Sequence, residues 1–379
     1  MKKKIAIVIG TRPEIIRFSP IIRILSDNSN VSYSLIHTGQ HYSSDMSDVF
    51  FRELGLPKPT INLLIGASSP CEQTSEVIDK MGKYIETDKP DIVCVWGDTN
   101  SSLGAAIAAN KTKTKLCHVE AGCRSHDFRM AEEYNRILID HLADLLFPVA
   151  QCDLKNLLVE KIHGKTLFLG DPLYDAFLEN SEKLIKGSDG STGGFKNISI
   201  LFTLHRAENV DNPQILEKIL KSINHIKTGK IIFPIHPRTR KMIELYELNN
   251  LIDNETIITT SPLSYFDVLK ILKQCDLVIT DSGGLQKEAF FAQKTCITLR
   301  KSTEHLDTIR LKVNILIDPE SESLDNLSEI CSNAKKIGDT FKYISEMPYG
   351  DGHSSIQIVN AILDEISNNK MIIKKNFHD

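Results

Sequence analysis

Solid runs of Val, Ile and Leu recur along this chain, with amphipathic stretches filling the gaps. The first half offers Lys4–Ile9, Tyr33–His37, Ile92–Trp96, Leu116–Glu120, Leu145–Val149 and Thr166–Leu169. The second offers Ile198–Leu204, Lys230–Ile235, Glu255–Thr259, Leu277–Thr280, Thr295–Leu299 and Asn314–Ile317. A strand wetted on one face alternates apolar and polar residues, whereas a strand covered on both faces does not. These runs do not alternate, so they predict strands sandwiched between helices. Strand–helix alternation then calls for right-handed crossovers and parallel sheets. Two sets of six such runs in 379 residues fit an α/β protein of two Rossmann-like, doubly wound domains.

The linker is expected between Gly170-Asp171-Pro172 and the polar stretch 187–197, whose four glycines and missing apolar period read as a flexible surface loop. Residues 1–172 would form the first domain and 173–353 the second, with 354–379 as a C-terminal segment. That segment shows helical spacing at Ile356, Val359, Ile362 and Ile366.

The net charge of −4 argues against a nucleic-acid binder. No run reaches the roughly 18 to 20 apolar residues that span a bilayer. The run Ile5–Ile9 is too short for a signal-peptide core. A cytoplasmic location follows as the expectation, with no membrane partner. The eight cysteines, at 71, 94, 117, 123, 152, 275, 296 and 331, include no C-x-x-C pair and read as buried free thiols.

In open parallel sheets ligands bind beyond the carboxyl ends of the strands, so the residues just after each run carry the functional interest. Gly10-Thr11-Arg12-Pro13-Glu14 follows the first run. Either a helix N-terminus flanked by Arg12 takes an anion there, or the segment is a surface turn in which Arg12 caps a neighbouring loop. The dinucleotide and Walker patterns are both missing. Asp281-Ser282-Gly283-Gly284 precedes a helix carrying Glu288. Exposed glycine amides and a serine hydroxyl suit a phosphate, with Glu288 placed for ribose hydroxyls; the alternative is a plain strand–helix turn. Asp98, Glu120 and Glu132 form an acidic set fit for acid/base work if their environments separate their pKa values. Glu132 and Arg136 lie four apart on the helix starting at Ala131 and share a face, and Glu133 is expected on a solvated face. His205-Arg206 and His236-Pro237-Arg238 also follow runs, yet no histidine spacing suggests a metal.

The order and length of several motifs resemble the non-hydrolysing UDP-N-acetylglucosamine 2-epimerases. They are GTRPEII at 10–16, HTGQHYSSDM at 37–46, GDTNSSLGAA at 97–106, HVEAGCRS at 118–125, EEYNRILIDH at 132–141, TLHRAENVDNP at 203–213, IHPRT at 235–239, TDSGGLQKEA at 280–289 and GDGHSSIQIV at 350–359. The resemblance covers nearly the whole chain. It implies a glycosyltransferase-B-like fold with a ligand cleft between the domains and a C-terminal helix crossing back onto the first. It implies a UDP-sugar substrate, reversible inversion at C2 through UDP elimination and re-addition, no cofactor, a homodimer, and a place in polysaccharide biosynthesis. By the same resemblance Asp98, Glu120, Glu132, Arg136 and His205 are catalytic. Arg12, Arg17, Ser282, Gly283, Gly284, Glu288 and His305 bind substrate, and Leu263–Val268 form a uracil shelf. Gln40, His41 and Arg206 match positions tied to allosteric activation.

The chain departs from the family's pattern in places. Arg17 stands where Lys is usual, Ala131 replaces a Pro, and Thr303-Glu304-His305-Leu306-Asp307 stands where Thr-Glu-Arg-Pro-Glu is common. The last change bears on the sugar, so a 2-epimerase of a modified UDP-amino-sugar, such as a UDP-2,3-diacetamido uronic acid, is the first alternative. A hydrolysing variant, a glycosyltransferase of the same fold and a catalytically silent UDP-sugar sensor are the others.

Overall fold

The computed structural model describes residues 2–39, 51–66, 69–187, 198–227, 229–252, 255–344 and 347–367. Gln40, His41 and all but the first residue of the expected 187–197 loop lie outside them. The described chain separates into two compact units, Met1–Ala176 with Pro348–Asp379, and Phe177–Met347.

The first unit holds strands β1 (Lys3–Ile9), β2 (Val31–His37), β3 (Ile61–Asn62), β4 (Ile92–Trp96), β5 (Lys115–Val119), β6 (Leu145–Phe147) and β7 (Lys165–Thr166). Their order is β3-β2-β1-β4-β5-β6-β7 and every pairing is parallel. The second unit holds β8 (Ile198–Thr203), β9 (Lys230–Pro234), β10 (Ile257–Thr260), β11 (Leu277–Thr280), β12 (Thr295–Leu299) and β13 (Asn314–Ile317). Their order is β10-β9-β8-β11-β12-β13, again parallel throughout.

Eleven of the twelve apolar runs became strands for the anticipated reason, whereas of Thr166–Leu169 only Thr166 lies in a strand, β7. Ile5, Ala6, Ile7, Val8 and Ile9 of β1 are all buried, as are Ile92 to Trp96 of β4 and Thr295 to Leu299 of β12. Helices cover both faces, and each fully buried aliphatic side chain contributes about 1.5–3 kcal/mol of transfer free energy. A charge at Ile7 would break the first core. β3 was not anticipated because two residues leave no period to read.

The helix Ser354–Ser367 packs on the first unit. Lys115 Nζ donates to the Glu365 carbonyl at 3.0 Å and to its carboxylate at 2.7 Å, and Lys3 Nζ donates to the Ile366 carbonyl at 2.7 Å. Its buried stripe is Ser355, Ile358, Val359, Ile362 and Ile366, and Ile356 faces outward. The expected stripe therefore loses Ile356 to Ile358, because 358 shares a face with 362 at i, i+4. Seven cysteines are buried as expected, but Cys71 is exposed in the first turn of the polar-faced helix Pro70–Asp88.

In each sheet the chain order reverses beside the first strand, between β1 and β4 in one unit and between β8 and β11 in the other. Such switch points open a crevice at the strands' carboxyl ends. Both polar clusters described below sit there.

Candidate active site

In the first unit the helix Arg12–Asp27 starts right after β1. The Glu14 carboxylate folds back on that start, accepting from the Gly10 amide at 2.6 Å and the Thr11 amide at 2.7 Å. Its other oxygen accepts from Thr99 Oγ1 at 2.9 Å and Ser102 Oγ at 3.3 Å, across the switch point. Burial pushes the Glu14 carboxyl up, and these donors pull against it. The two amides that an anion would seek are therefore already taken by the chain's own carboxylate. Gly10 has no room for a side chain, since a Cβ there would lie 2.1 Å from Ser101 Oγ. Arg12 is half-buried, and desolvation lowers its pKa against the opposing pull of Glu53.

Strands β4 and β5 end in two left-handed residues, Gly97 (φ +63°) and Glu120 (φ +71°). For Glu120 this conformation is strained, a feature that clusters at functional sites. The two turns bring Asp98 and Glu120 into one cluster. Arg17 Nη1 donates to Glu120 Oε2 at 2.7 Å, and Trp96 Nε1 donates to the same oxygen at 2.8 Å. Arg136 holds Asp98 Oδ2 with Nε at 2.8 Å and Nη2 at 2.5 Å. Desolvation and the charge of Glu120 push the Asp98 carboxyl above its ordinary value, against the pull of Arg136 and Arg17. Burial works against the charge on Arg17, but Glu120, Asp171, Asp98 and Glu14 outweigh it.

The helix Ala131–Leu142 corrects two expectations. Arg136 pairs with Glu133 at 2.9 Å, three residues back, and not with Glu132. Glu133 is not solvated. It is fully buried, accepting from the Ser125 amide and hydroxyl at 2.9 Å and the His126 amide at 2.9 Å. Glu132 is exposed on the neighbouring face. The loop 123–130 folds over the start of this helix and reverses which glutamate is covered.

In the second unit His205 and Arg206 follow β8, and Asp281 follows β11. The Asp281 side chain is fully buried and accepts from the His205 amide at 2.9 Å, the Arg206 amide at 2.8 Å and Asn209 Nδ2 at 3.2 Å. Its other oxygen faces His205 Nδ1 at 3.0 Å. Although burial alone would raise it, the bonds from His205 and Arg206 hold its carboxyl below the usual range. The imidazole of His205, with its side chain 38% exposed, is thereby presented at the strand end. His236, after β9, lies with its ring 5.6 Å from that of His205 and accepts the Arg238 amide at Nδ1, 3.2 Å away. Burial, then the charge on His205, lowers its pKa. Asp281 and His236, which the sequence placed just past apolar runs without giving either a role, both belong to this cluster. Their shared signal was position, one residue past an apolar run.

The helix Gly283–Phe291 starts beside this cluster with Ser282 as its cap, Oγ accepting from the Leu285 amide. The first-turn amides of Gly283 and Gly284 have no acceptor within the helix. A Cβ on Gly283 would stand 2.7 Å from Glu304 Oε1 and 3.6 Å from His305 Nε2, so a side chain there would push the Glu304 carboxylate aside. Glu304 is paired with Arg300 at 2.8 Å, and His305 Nε2 lies 3.8 Å from Glu304. His305 is therefore buried against the Gly283 turn. Glu288 is half-buried further along the helix. In the expected uracil shelf, Ser264 caps the helix Tyr265–Gln274, its hydroxyl accepting from the Asp267 amide at 3.1 Å. Among the described residues no cluster of His, Cys, Asp and Glu is fit to hold a metal, and no helix is long and apolar enough to cross a membrane.

Two parallel sheets with interleaved helices, each with a polar cluster at its switch point, define a doubly wound α/β protein of two units. The family model for UDP-N-acetylglucosamine 2-epimerase matches residues 23–363. The UDP-N-acetylglucosamine 2-epimerase of Methanocaldococcus jannaschii is 40% identical over 369 residues, 95% of this chain and 98% of that one. The UDP-2,3-diacetamido-2,3-dideoxy-D-glucuronate 2-epimerase of Pseudomonas aeruginosa is 36% identical, over 95% of this chain and 99% of that one. A crystal structure of the Methanocaldococcus jannaschii enzyme with UDP-GlcNAc and UDP matches with a TM-score of 0.84 at 38% identity, over 95% and 99% of the two chains. The Neisseria meningitidis UDP-GlcNAc 2-epimerase bound to UDP-GlcNAc also gives 0.84, at 29% identity, over 95% and 100%. The chain belongs to the UDP-N-acetylglucosamine 2-epimerase family, and its two sheets with interleaved helices have that family's glycosyltransferase-B-like fold.

Proposed function

We propose that this enzyme interconverts UDP-N-acetylglucosamine and UDP-N-acetylmannosamine by eliminating UDP and adding it back. The C2 proton has no adjacent carbonyl to acidify it, so its removal is coupled to departure of the diphosphate. A base takes the C2 proton, the C1–O bond breaks, and UDP and 2-acetamidoglucal remain bound. A proton then reaches the other face of C2, and a diphosphate oxygen re-forms the bond to C1. The sequence is redox-neutral and balances without a cofactor.

The observation that carries this reading is the pair Asp98 and Glu120, set side by side with Arg17 and Arg136 and with the Asp98 carboxyl pushed upward. Two carboxyls in different environments supply an acid and a base. Glu132, exposed on the adjoining helix, is the third candidate for proton transfer. His205 and the Ser282–Gly284 turn are assigned to the departing diphosphate, where donors aimed at developing charge act most strongly. Glu288 is assigned to the ribose, and Arg12, Arg17 and His305 to the substrate. The domain boundaries after residues 172 and 353, the homodimer and the allosteric role of Gln40, His41 and Arg206 belong to the same proposal.

NMR of UDP-N-acetylglucosamine with the enzyme in heavy water tests it. Deuterium at C2 and growth of the manno epimer, with no acceptor present, are the expected results. Absence of both defeats the reading. The 36% identity to the diacetamido uronate epimerase supports a second reading, a modified UDP-amino-sugar. A panel of UDP-sugars separates the two.

A further inference from the structure

Behind Asp98 lies a chain of buried polar groups that the reaction does not consume. His118, on β5, faces an oxygen with each ring nitrogen: Nε2 with the Gly97 carbonyl at 2.9 Å and Nδ1 with Asp140 Oδ1 at 2.6 Å. Asp140 Oδ2 accepts from the Gly122 amide at 3.0 Å and from Arg124 Nη2 at 2.7 Å. Arg124 also donates Nε and Nη2 to the two oxygens of Glu160, at 2.8 and 2.7 Å. The side chains of His118 and Asp140 are fully buried and that of Arg124 nearly so, while Glu160 is 27% exposed. The chain thus runs from the surface to the turn that carries Asp98.

The Gly97 carbonyl belongs to the peptide that leads into Asp98. Gly97 is left-handed, so its backbone has turned out of the strand. A carbonyl only accepts, so Nε2 of His118 carries a hydrogen. On the other side of Asp98, its own carbonyl accepts from Asn135 Nδ2 at 2.8 Å. Both peptides flanking Asp98 are therefore pinned by buried side chains, and Arg136 pins the carboxylate. Proton transfer is sensitive to such placement, since an error of about 1 Å can cost about 10²-fold in rate.

We propose that His118 is a positioning residue for proton transfer at Asp98. It fixes the Gly97–Asp98 peptide, and Asp140, Arg124 and Glu160 hold the imidazole in place. This rests on the epimerase reading, with Asp98 as a proton-transfer group.

Two near-isosteric variants separate positioning from mere stability. His118→Gln places an amide nitrogen near the position of Nε2 and keeps a donor for Gly97. His118→Asn places one near Nδ1, keeps the Asp140 contact and leaves Gly97 without its donor. Steady-state kinetics, UDP titration and thermal melts are measured on the full chain. In the Asn variant kcat is expected to fall about 10²-fold, and in the Gln variant less than about tenfold. KM and UDP affinity stay within about twofold of the parent in both. Equal kcat in the two variants, or losses that follow the melting temperature, overturn the proposal. If neither variant folds, Glu160→Gln at the exposed end of the chain decides. A kcat lowered by about three-fold or more, with KM and melting temperature unchanged, supports positioning; an unchanged kcat overturns it. A parent enzyme that puts no deuterium on C2 overturns the epimerase reading and this one with it, whereas parent turnover with equal variants overturns this one alone.

Discussion

Asp98 and Asp281 occupy equivalent places in the two sheets. Each follows the strand next to its unit's first strand, β4 beside β1 and β11 beside β8. Their environments nonetheless drive them in opposite directions. The Asp281 side chain is 0% exposed and accepts two backbone amides, an asparagine amide and a bond from His205. It is held ionised below the usual range and builds the turn that presents His205. Asp98 is 28% exposed, pairs with Arg136, and stands beside Glu120. Its carboxyl is pushed upward and keeps access to a proton. More donors converge on Asp281 than on Asp98, and under the proposed function that difference assigns the first to structure and the second to chemistry.

The largest expected effect is that of Asp98→Asn. It should lower kcat by about 10³-fold, within the usual span for an acid/base group, while UDP affinity stays within about twofold. A variant that keeps its turnover would erase the contrast between the two aspartates. Asp281→Asn should do the reverse of sparing the fold. An amide there cannot accept all four bonds, and a buried network left short of one acceptor loses about 1–3 kcal/mol. Urea unfolding measures that loss, and UDP titration should show weaker binding as His205 loosens. Full stability in the Asn variant would mean that the buried carboxylate is not the clamp.

The pH dependence of stability sharpens the same contrast. Asp98 binds its proton more tightly folded than unfolded. Its contribution is therefore present below the ordinary aspartate pKa of about 4, and is lost as pH rises through the folded value. Asp281 binds its proton less tightly when folded. Its contribution is present above about 4 and is lost as pH falls through the folded value. The stability difference between the parent and Asp98→Asn should thus shift against the parent above about pH 4, and that between the parent and Asp281→Asn below it. Urea midpoints across that range read both slopes, and slopes of the same sign would remove the distinction.

The sheets were legible because a strand covered on both faces leaves an uninterrupted apolar run, as Ile92–Trp96 and Leu277–Thr280 do. The switch-point clusters were legible in part, since the polar residues just past those runs fall at the strands' carboxyl ends. The pairing of Arg136 was not. Spacing along a helix offers Glu132 and Glu133 almost equally, and the choice is made by the Ser125–His126 backbone, which closes over Glu133. The His118–Asp140 contact spans 22 residues and two elements, and no local pattern announces it. The back-folding of Glu14 did have a signal: Thr11-Arg12-Pro13-Glu14 is a capping-box spacing, with the glutamate three residues after the threonine.

That glutamate gives the smallest and most discriminating test. The starts of the helices Arg12–Asp27 and Gly283–Phe291 look alike in sequence, each a glycine turn at a switch point. In the first, Glu14 takes the amides of Gly10 and Thr11; in the second, the amides of Gly283 and Gly284 have no intrahelical acceptor. Glu14→Gln keeps a carbonyl oxygen for both amides, and the hydroxyls of Thr99 and Ser102 can rotate to accept from its new amide. The loss of stability should be only about 0.5–1.5 kcal/mol. If the first helix start is not the diphosphate site, removing its negative charge should leave UDP affinity within about twofold. If it is, the helix dipole freed of a competing carboxylate should tighten UDP binding by up to about fivefold, roughly the 0.3–1 kcal/mol such a terminus gives an anion. Calorimetric titration of UDP into the variant distinguishes the two, and tighter binding would move the phosphate from the second unit's turn to the first.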